Sequence, residues 1–468
     1  MPDLETTSGS EAPGSRARGS APKPTLSTLD GVVLIVGLVL GAGIFRAPQF
    51  VAGGSSTGQM FLALWALGGF ISFVGALCYA ELASAYPSAG GEYHFLKRAF
   101  GVRAGFLCAW SRLAVIQTGS IAILAFVVGD YAVAISGGDG LPSWSSAAVA
   151  AAVVIILTAL NLTGLRQGCR TQYALTSLEV LALVAVITVG LAAAVPAAPP
   201  TTPPLAADTA PASGIALAFV FVLLTFGGWS EAAYLSAEFR DRRRGVLRTL
   251  GWGLGIITLL YLLANAAYLR RLGLDGIAAS TAVAADVMRA SVGGWGALAV
   301  SLGVMVAALS SANATMITGA RSNYAVGRDV SLFRFLGTWN ERQATPRAAF
   351  LLQGTIALWL VGFGSLARSG FEAMVAYTAP VFWLILLATG VSVLVLRRRE
   401  PSVARPFRVP FYPVTPLLFC AFAGYMLHAS VAYAGRGALL GLAVMLLGIP
   451  ILTFARTRAA ASAPALTS

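Results

Sequence analysis

Charge is scarce in this chain. Acidic and basic residues make up 11% of its 468 residues, against roughly 25% in soluble globular proteins, and that deficit excludes a soluble enzyme of two or three domains. Histidine is nearly absent. His94 and His428 are the only two, too few and too far apart for a zinc or haem site. The four cysteines (Cys78, Cys108, Cys169 and Cys420) lie in or beside apolar stretches without metal-ligand spacing and imply no disulfide framework. No G-x-x-x-x-G-K-[ST] run occurs, so ATP is not a direct driver. No metal and no cofactor is expected.

What the chain has instead is apolar length. Hydrophobic residues reach 57% and gather into runs of about 20, enough at 1.5 Å per residue to cross a ~30 Å hydrocarbon layer. Twelve spans are expected, at about 29–50, 58–86, 103–135, 146–163, 172–195, 214–238, 249–269, 297–320, 348–367, 371–396, 412–434 and 437–455. Residues 1–28, rich in Ser, Pro, Gly and Ala, read as a disordered tail that lacks the apolar core of a signal peptide, and 456–468 as a second tail.

The net charge of +13 has a topological reading. Most lysines and arginines fall in alternate loops, among them Lys97, Arg98 and Arg103, Arg242 to Arg244, and Arg397 to Arg399. By the positive-inside rule this places both termini in the cytoplasm of a multi-pass protein of the cell membrane. The same residues suit anionic lipid and call for no nucleic acid. No protein partner is implied.

A Pro-rich stretch, residues 196–213, separates five spans (29–195) from five more (214–396), and residues 397–455 add a basic loop and a final pair. Five is odd, so the two halves enter the membrane from opposite sides, as inverted repeats do.

Glycine interrupts the first span of each half at a matching depth. Span one carries Gly41-Ala42-Gly43-Ile44-Phe45 and span six Leu224-Thr225-Phe226-Gly227-Gly228-Trp229. An unwound helix in mid-membrane leaves backbone groups to be satisfied by protein, water or solute. The half-helix that follows offers N–H groups to a carboxylate, and the half before it offers carbonyls to a cation. An α-amino acid carries both groups on one carbon. Gly37 and Gly41 also have the spacing of close helix packing, but a second break in the matching place favours a solute site.

These residues resemble the amino acid–polyamine–organocation (APC) superfamily of permeases. The likeness extends through Tyr79 to Glu81, Tyr86 to Tyr93, Ser236 to Asp241, and Arg397 to Pro410, and is nearest to prokaryotic members similar to L-type amino-acid transporters. It implies an all-α integral membrane fold of 12 transmembrane helices, a LeuT-type 5+5 inverted repeat with discontinuous helices 1 and 6, and alternating access. It also implies that Ala42, Gly43 and Ile44, beside Gly41, meet the substrate carboxylate. The carbonyls around Leu224, Thr225, Phe226 and Gly227, next to Gly228 and Trp229, meet its amino group. Two departures stand out. The position of an aromatic gate holds Leu224, with Phe221, Phe226 and Trp229 near, which implies either a loose gate or one rebuilt from Phe226, and the position of a lysine in span five holds Glu179.

Further polar residues lie inside the spans. Glu179 can carry a coupling proton, or pair with a structural partner such as Arg112. Arg112 either snorkels to the near interface or meets the substrate, with Gln117 next to it on the same span. Ser310, Ser311 and Asn313 can offer oxygens to a sodium ion or pack between helices. Glu81 and Glu238 are expected to pair with basic loops. The expected function is secondary active transport of L-amino acids, as exchanger or proton-coupled symporter, with H+ or Na+ as the coupling partner. A polyamine or other organic-cation carrier of the same fold is the alternative, and a membrane enzyme the outlying class.

Overall fold

The computed structural model describes residues 27–88, 90–136, 141–163, 169–192, 211–231, 245–330, 333–340, 345–433 and 435–453. Most of the Pro-rich stretch, the Ser236 to Asp241 motif with Glu238, the Arg242 to Arg244 run and the two tails lie outside the described residues. Within them every extended element is helical, and a lone bridge pairs Asn340 with Thr345.

α1 (Thr28–Val39) opens on a capping box, Ser27 and Asp30 each bonding the other's backbone N–H. It stops after 12 residues, a rise of about 18 Å that falls short of a bilayer core. The chain unwinds over Leu40 to Ala42, then restarts as α2 (Gly43–Arg46) and α3 (Pro48–Gly53). α4 (Gly58–Ala85) runs uninterrupted from its Thr57 cap to Tyr86, where Pro87 follows. α5 (Gly91–Phe100) is a short amphipathic helix. α6 (Val102–Ser111) and α7 (Gln117–Ile135) are joined by a π-helical turn, Arg112–Ile116. α8 (Ser145–Leu162) and α9 (Cys169–Ala192) follow.

α10 (Pro211–Thr225) ends where the second glycine pair begins, and a 3-10 turn, Trp229–Glu231, succeeds it. α11 (Gly245–Ala279) is longer than the expected span because it continues through a kink at Gly273, whose φ of +67° suits glycine. α12 (Val283–Val292), α13 (Gly294–Asp329), α14 (Arg347–Gly364), α15 (Gly370–Arg399), α16 (Val414–Tyr433) and α17 (Gly435–Leu446) complete the chain.

Among the described residues, 10 helical stretches are long and apolar enough to cross a membrane, and Thr176–Ala192 and Gly437–Thr453 are shorter apolar helices. α1 packs on α9 and α11, α10 on α3, α4 and α16, and α7 on α8, α13 and α15. The outside of the bundle is itself apolar: Trp359 is 78% and Leu181 64% exposed. Such a surface suits hydrocarbon and not water.

Candidate functional site

The two breaks touch each other. A Cβ built on Gly228 would lie 2.9 Å from the Leu38 carbonyl oxygen and 3.6 Å from Val39 Cα. Gly228 also has φ +91°, so it is doubly bound to be glycine. A Cβ on Gly43 would lie 3.1 Å from Thr225 Cγ2 and 3.4 Å from Thr225 Cα. Each break thus rests on the end of the other half-helix.

Tyr261 of α11 ties them together. Its hydroxyl is 2.7 Å from the Val39 carbonyl and 3.2 Å from that of Thr225. The Leu224 carbonyl accepts from Gly227 N–H at 2.9 Å. The N–H groups that open α2 have no preceding turn to bond.

A cavity of about 220 Å³ opens beside the breaks. Gly41, Ala42, Gly43, Leu224, Thr225, Gly227 and Gly228 line it, as do Arg112, Gln117 and Ser311. Ile44, Phe226 and Trp229 do not; they are buried behind it. Phe226 packs on Tyr261 and Trp65, with ring centroids 4.9 and 6.3 Å apart, and Trp229 packs on Tyr79 at 4.9 Å. Phe226 therefore does not rebuild an aromatic gate. The aromatic wall comes from Phe221, Phe371 and Phe382.

At one end of the cavity Phe221 stacks on Phe50 at 4.4 Å, and both stack on Phe371. Arg46 lies over Phe50 and Phe371 and pairs with Asp130 at 3.1 Å, while Asp130 accepts from Ser146 at 2.6 Å. A layer of rings thus lies there under an ion pair whose arginine is buried and whose aspartate is 19% exposed.

Elsewhere in the lining stands a charged cluster. Arg112 does not snorkel; it is 6% exposed. Its Nη1 donates to Glu92 Oε2 at 3.1 Å and its Nη2 to Glu231 Oε1 at 2.8 Å. The Gln117 amide fits the same network, its oxygen accepting from Arg112 Nη2 at 2.7 Å and its nitrogen donating to the Thr315 carbonyl at 3.1 Å. Tyr79 Oη donates to Glu92 Oε1 at 2.5 Å. Burial pushes the Glu92 carboxyl up, while the Arg112 guanidinium and the Tyr79 hydroxyl draw it down. The π turn that carries Arg112 is a helix defect of the kind often found at functional sites.

These observations describe a solute-sized chamber walled by two broken helices, and the comparison of sequences gives it a family. The amino acid permease family model matches residues 26–453. The chain belongs to the amino acid permease family. It is 29% identical over 445 residues to "Large neutral amino acids transporter small subunit 2" of Homo sapiens, covering 94% of this chain and 81% of that protein. "Asc-type amino acid transporter 1" of Mus musculus is 27% identical over 436 residues, 92% of this chain and 80% of its own length. The mouse "b(0,+)-type amino acid transporter 1" is 28% identical over 402 residues, with shares of 84% and 80%.

The remaining sequence candidates of this permease lie off the cavity. Asn313 accepts a hydrogen bond from Asn161 at 2.7 Å and joins α13 to α8. Ser310 and Glu179 are buried, and their side-chain oxygens have no hydrogen-bond partner among the described residues. Arg112 is thus the partner of Glu92 and Glu231, not of Glu179. Gly37, by contrast, lines the cavity, and it also lies against Thr176 of α9. The cavity face of α13 is Ser311, Ala314, Thr315 and Thr318, the i, i+3, i+4, i+7 spacing of one helix face. That periodicity was available in the sequence. The roles of Glu92 and Tyr261 were not, because each depends on a partner far away in the chain.

Proposed function

We propose that this permease carries L-amino acids across the cell membrane by alternating access, as an exchanger or a proton-coupled symporter. The observation that carries the reading is the mutual contact of the two breaks, Gly43 on Thr225 and Gly228 on Leu38, in the wall of a 220 Å³ cavity. The substrate carboxylate is assigned to the N–H groups of Gly41 to Ile44. The ammonium group is assigned to carbonyls around Leu224 to Gly227, each with a second lone pair to offer. The names of the relatives, all amino acid transporters, support this substrate class.

The proposed architecture is twelve spans in a 5+5 inverted repeat plus a trailing pair, with both termini in the cytoplasm. Packing supports it. Spans one and six meet at the breaks, α4 packs on α11, α7 on α13 and α8 on α14. These are first with sixth, second with seventh, third with eighth and fourth with ninth, the pairings an internal two-fold axis produces. The loops rich in lysine and arginine support the orientation.

Counterflow tests the function. Proteoliposomes holding the permease are preloaded with an unlabelled L-amino-acid mixture and placed in a labelled one. Accumulation of label without an ion gradient is the expected result. Absence of label from correctly inserted protein, with or without a pH gradient, overturns it and points to another amine as the solute.

A further inference from the structure

A second cavity, of about 510 Å³, lies away from the transport chamber, between the end of α15 and the start of α16. Its wall is Leu394, Arg397, Arg398, Tyr412, Pro413 and Leu417. α15 has 30 residues with Arg397, Arg398 and Arg399 in its last turn, a length of about 45 Å. That exceeds a ~30 Å hydrocarbon layer, so its basic last turn reaches headgroup depth. The outer face of α16 beside it is apolar. Val414, Leu417 and Tyr425 are 64%, 51% and 52% exposed. With the exposed Ala421 they follow the i, i+3, i+7, i+11 spacing of one helix face. An apolar stripe on the outside of a membrane bundle is a surface for acyl chains, and the cavity is where that stripe meets two guanidinium groups. Arg397 is held in place there: its Nε donates to Glu81 of α4 at 2.6 Å, and its guanidinium carbon lies 3.9 Å from the centre of the Tyr412 ring. Arg398 is exposed.

We propose that this cavity binds an anionic phospholipid, its phosphate on Arg397 and Arg398 and one acyl chain along the α16 stripe from Leu417 to Tyr425. The planar fork of a guanidinium matches phosphate oxygens, and arginines at a membrane surface attract anionic headgroups. A soluble phosphate would use the arginines alone and leave Leu394, Pro413 and Leu417 wet, whereas a lipid covers both halves of the wall. A zwitterionic lipid brings its own cation beside two guanidinium groups, which selects against it. The bound lipid braces three helices, because Arg397 of α15 is tied to Glu81 of α4 and the acyl chain lies on α16. Lipid binding is therefore read as thermal stability.

The test is thermal unfolding of the full-length protein in detergent micelles titrated with dioleoyl phosphatidylglycerol. Phosphatidylglycerol is expected to raise the wild-type Tm saturably, and further than phosphatidylcholine does at the same mole fraction. Arg398→Gln raises the half-saturating mole fraction about fivefold, the change expected for one arginine lost from an anionic surface. Arg398→Lys, which keeps the charge and loses the fork, raises it less. Arg334→Gln removes an exposed arginine from another basic loop and leaves the half-saturating fraction unchanged. Equal rises with the two lipids, or no rise with phosphatidylglycerol, overturn the proposal. So does an unchanged half-saturating fraction in Arg398→Gln. An equal weakening in Arg334→Gln would make the effect one of general surface charge and also overturns it. A rise with soluble glycerol 3-phosphate that matches the rise with phosphatidylglycerol would assign the arginines to a free phosphate, and overturns the lipid assignment.

Discussion

The hydroxyl of Tyr261 donates to the backbone carbonyl of Val39 at 2.7 Å, on the last residue of α1 before the chain unwinds. The same hydroxyl is 3.2 Å from the Thr225 carbonyl, at the end of α10. One side chain of α11 therefore joins both breaks, and its ring is fixed edge-on against Trp65, 5.8 Å away. Tyr261→Phe keeps the ring and removes the tie. The loss to stability is about 1 kcal/mol, typical of one hydrogen bond, whereas the initial counterflow rate falls by several-fold because the breaks lose their mutual alignment. Thermal unfolding and counterflow on one preparation check this, and an unchanged rate would make Tyr261 mere packing.

Glycines at the breaks should respond differently from glycines elsewhere. Gly228→Ala forces a side chain into a φ of +91° against the Leu38 carbonyl, a strain of about 1–3 kcal/mol, and is expected to stop transport. Gly43→Val drives a branched side chain into Thr225 and is expected to abolish uptake while leaving insertion intact. Gly362→Ala in α14, where a Cβ meets nothing within 4 Å, serves as the comparison and keeps wild-type counterflow.

Glu81 holds the start of the loop after α15 and makes a stability prediction. It accepts from Arg397 Nε at 2.6 Å and from the Val409 N–H at 2.7 Å, with Arg405 at 3.6 Å. Glu81→Ala leaves two buried or half-buried cations without their anion, a cost of about 3–5 kcal/mol. A clear fall in Tm in detergent is expected, and an unchanged Tm would show that Arg397 finds another partner.

Glu179 is buried in α9 with both carboxylate oxygens lacking a hydrogen-bond partner among the described residues. A carboxylate so placed can carry a proton through the transport cycle. Glu179→Gln, which is isosteric and cannot ionise, should flatten the pH dependence of uptake. A pH profile identical to the wild type assigns Glu179 to structure.

Local signals made part of this site readable in advance. The α1 break announces itself because Gly41 and Gly43 lie where an apolar helix has no local reason to hold two glycines, and Gly227-Gly228 repeats the pattern. Depth within a span was equally readable, but depth is not partnership. Arg112 is legible as a charge deep in its span, but its partners are not, since nothing nearby in sequence names Glu92 or Glu231 as its anions. Helical phase explains two other misses. Phe221 faces the cavity and Phe226 faces Tyr261 because helical bonding continues through Phe226, and residues five apart point about 140° apart. Ser311 lines the chamber where its neighbour Ser310 does not, because adjacent residues on α13 point about 100° apart.

The central claim is that the chamber between the two breaks is where the amino acid binds. The most direct measurement is protection of a cysteine placed in its wall. Ala314→Cys, in protein whose Cys78, Cys108, Cys169 and Cys420 are replaced, puts a thiol on the lining face of α13, to be labelled with a membrane-permeant maleimide. The account predicts that a transported L-amino acid slows labelling, half-maximally at the concentration that half-saturates counterflow. Labelling at an unchanged rate under saturating amino acid, while counterflow proceeds, would contradict it.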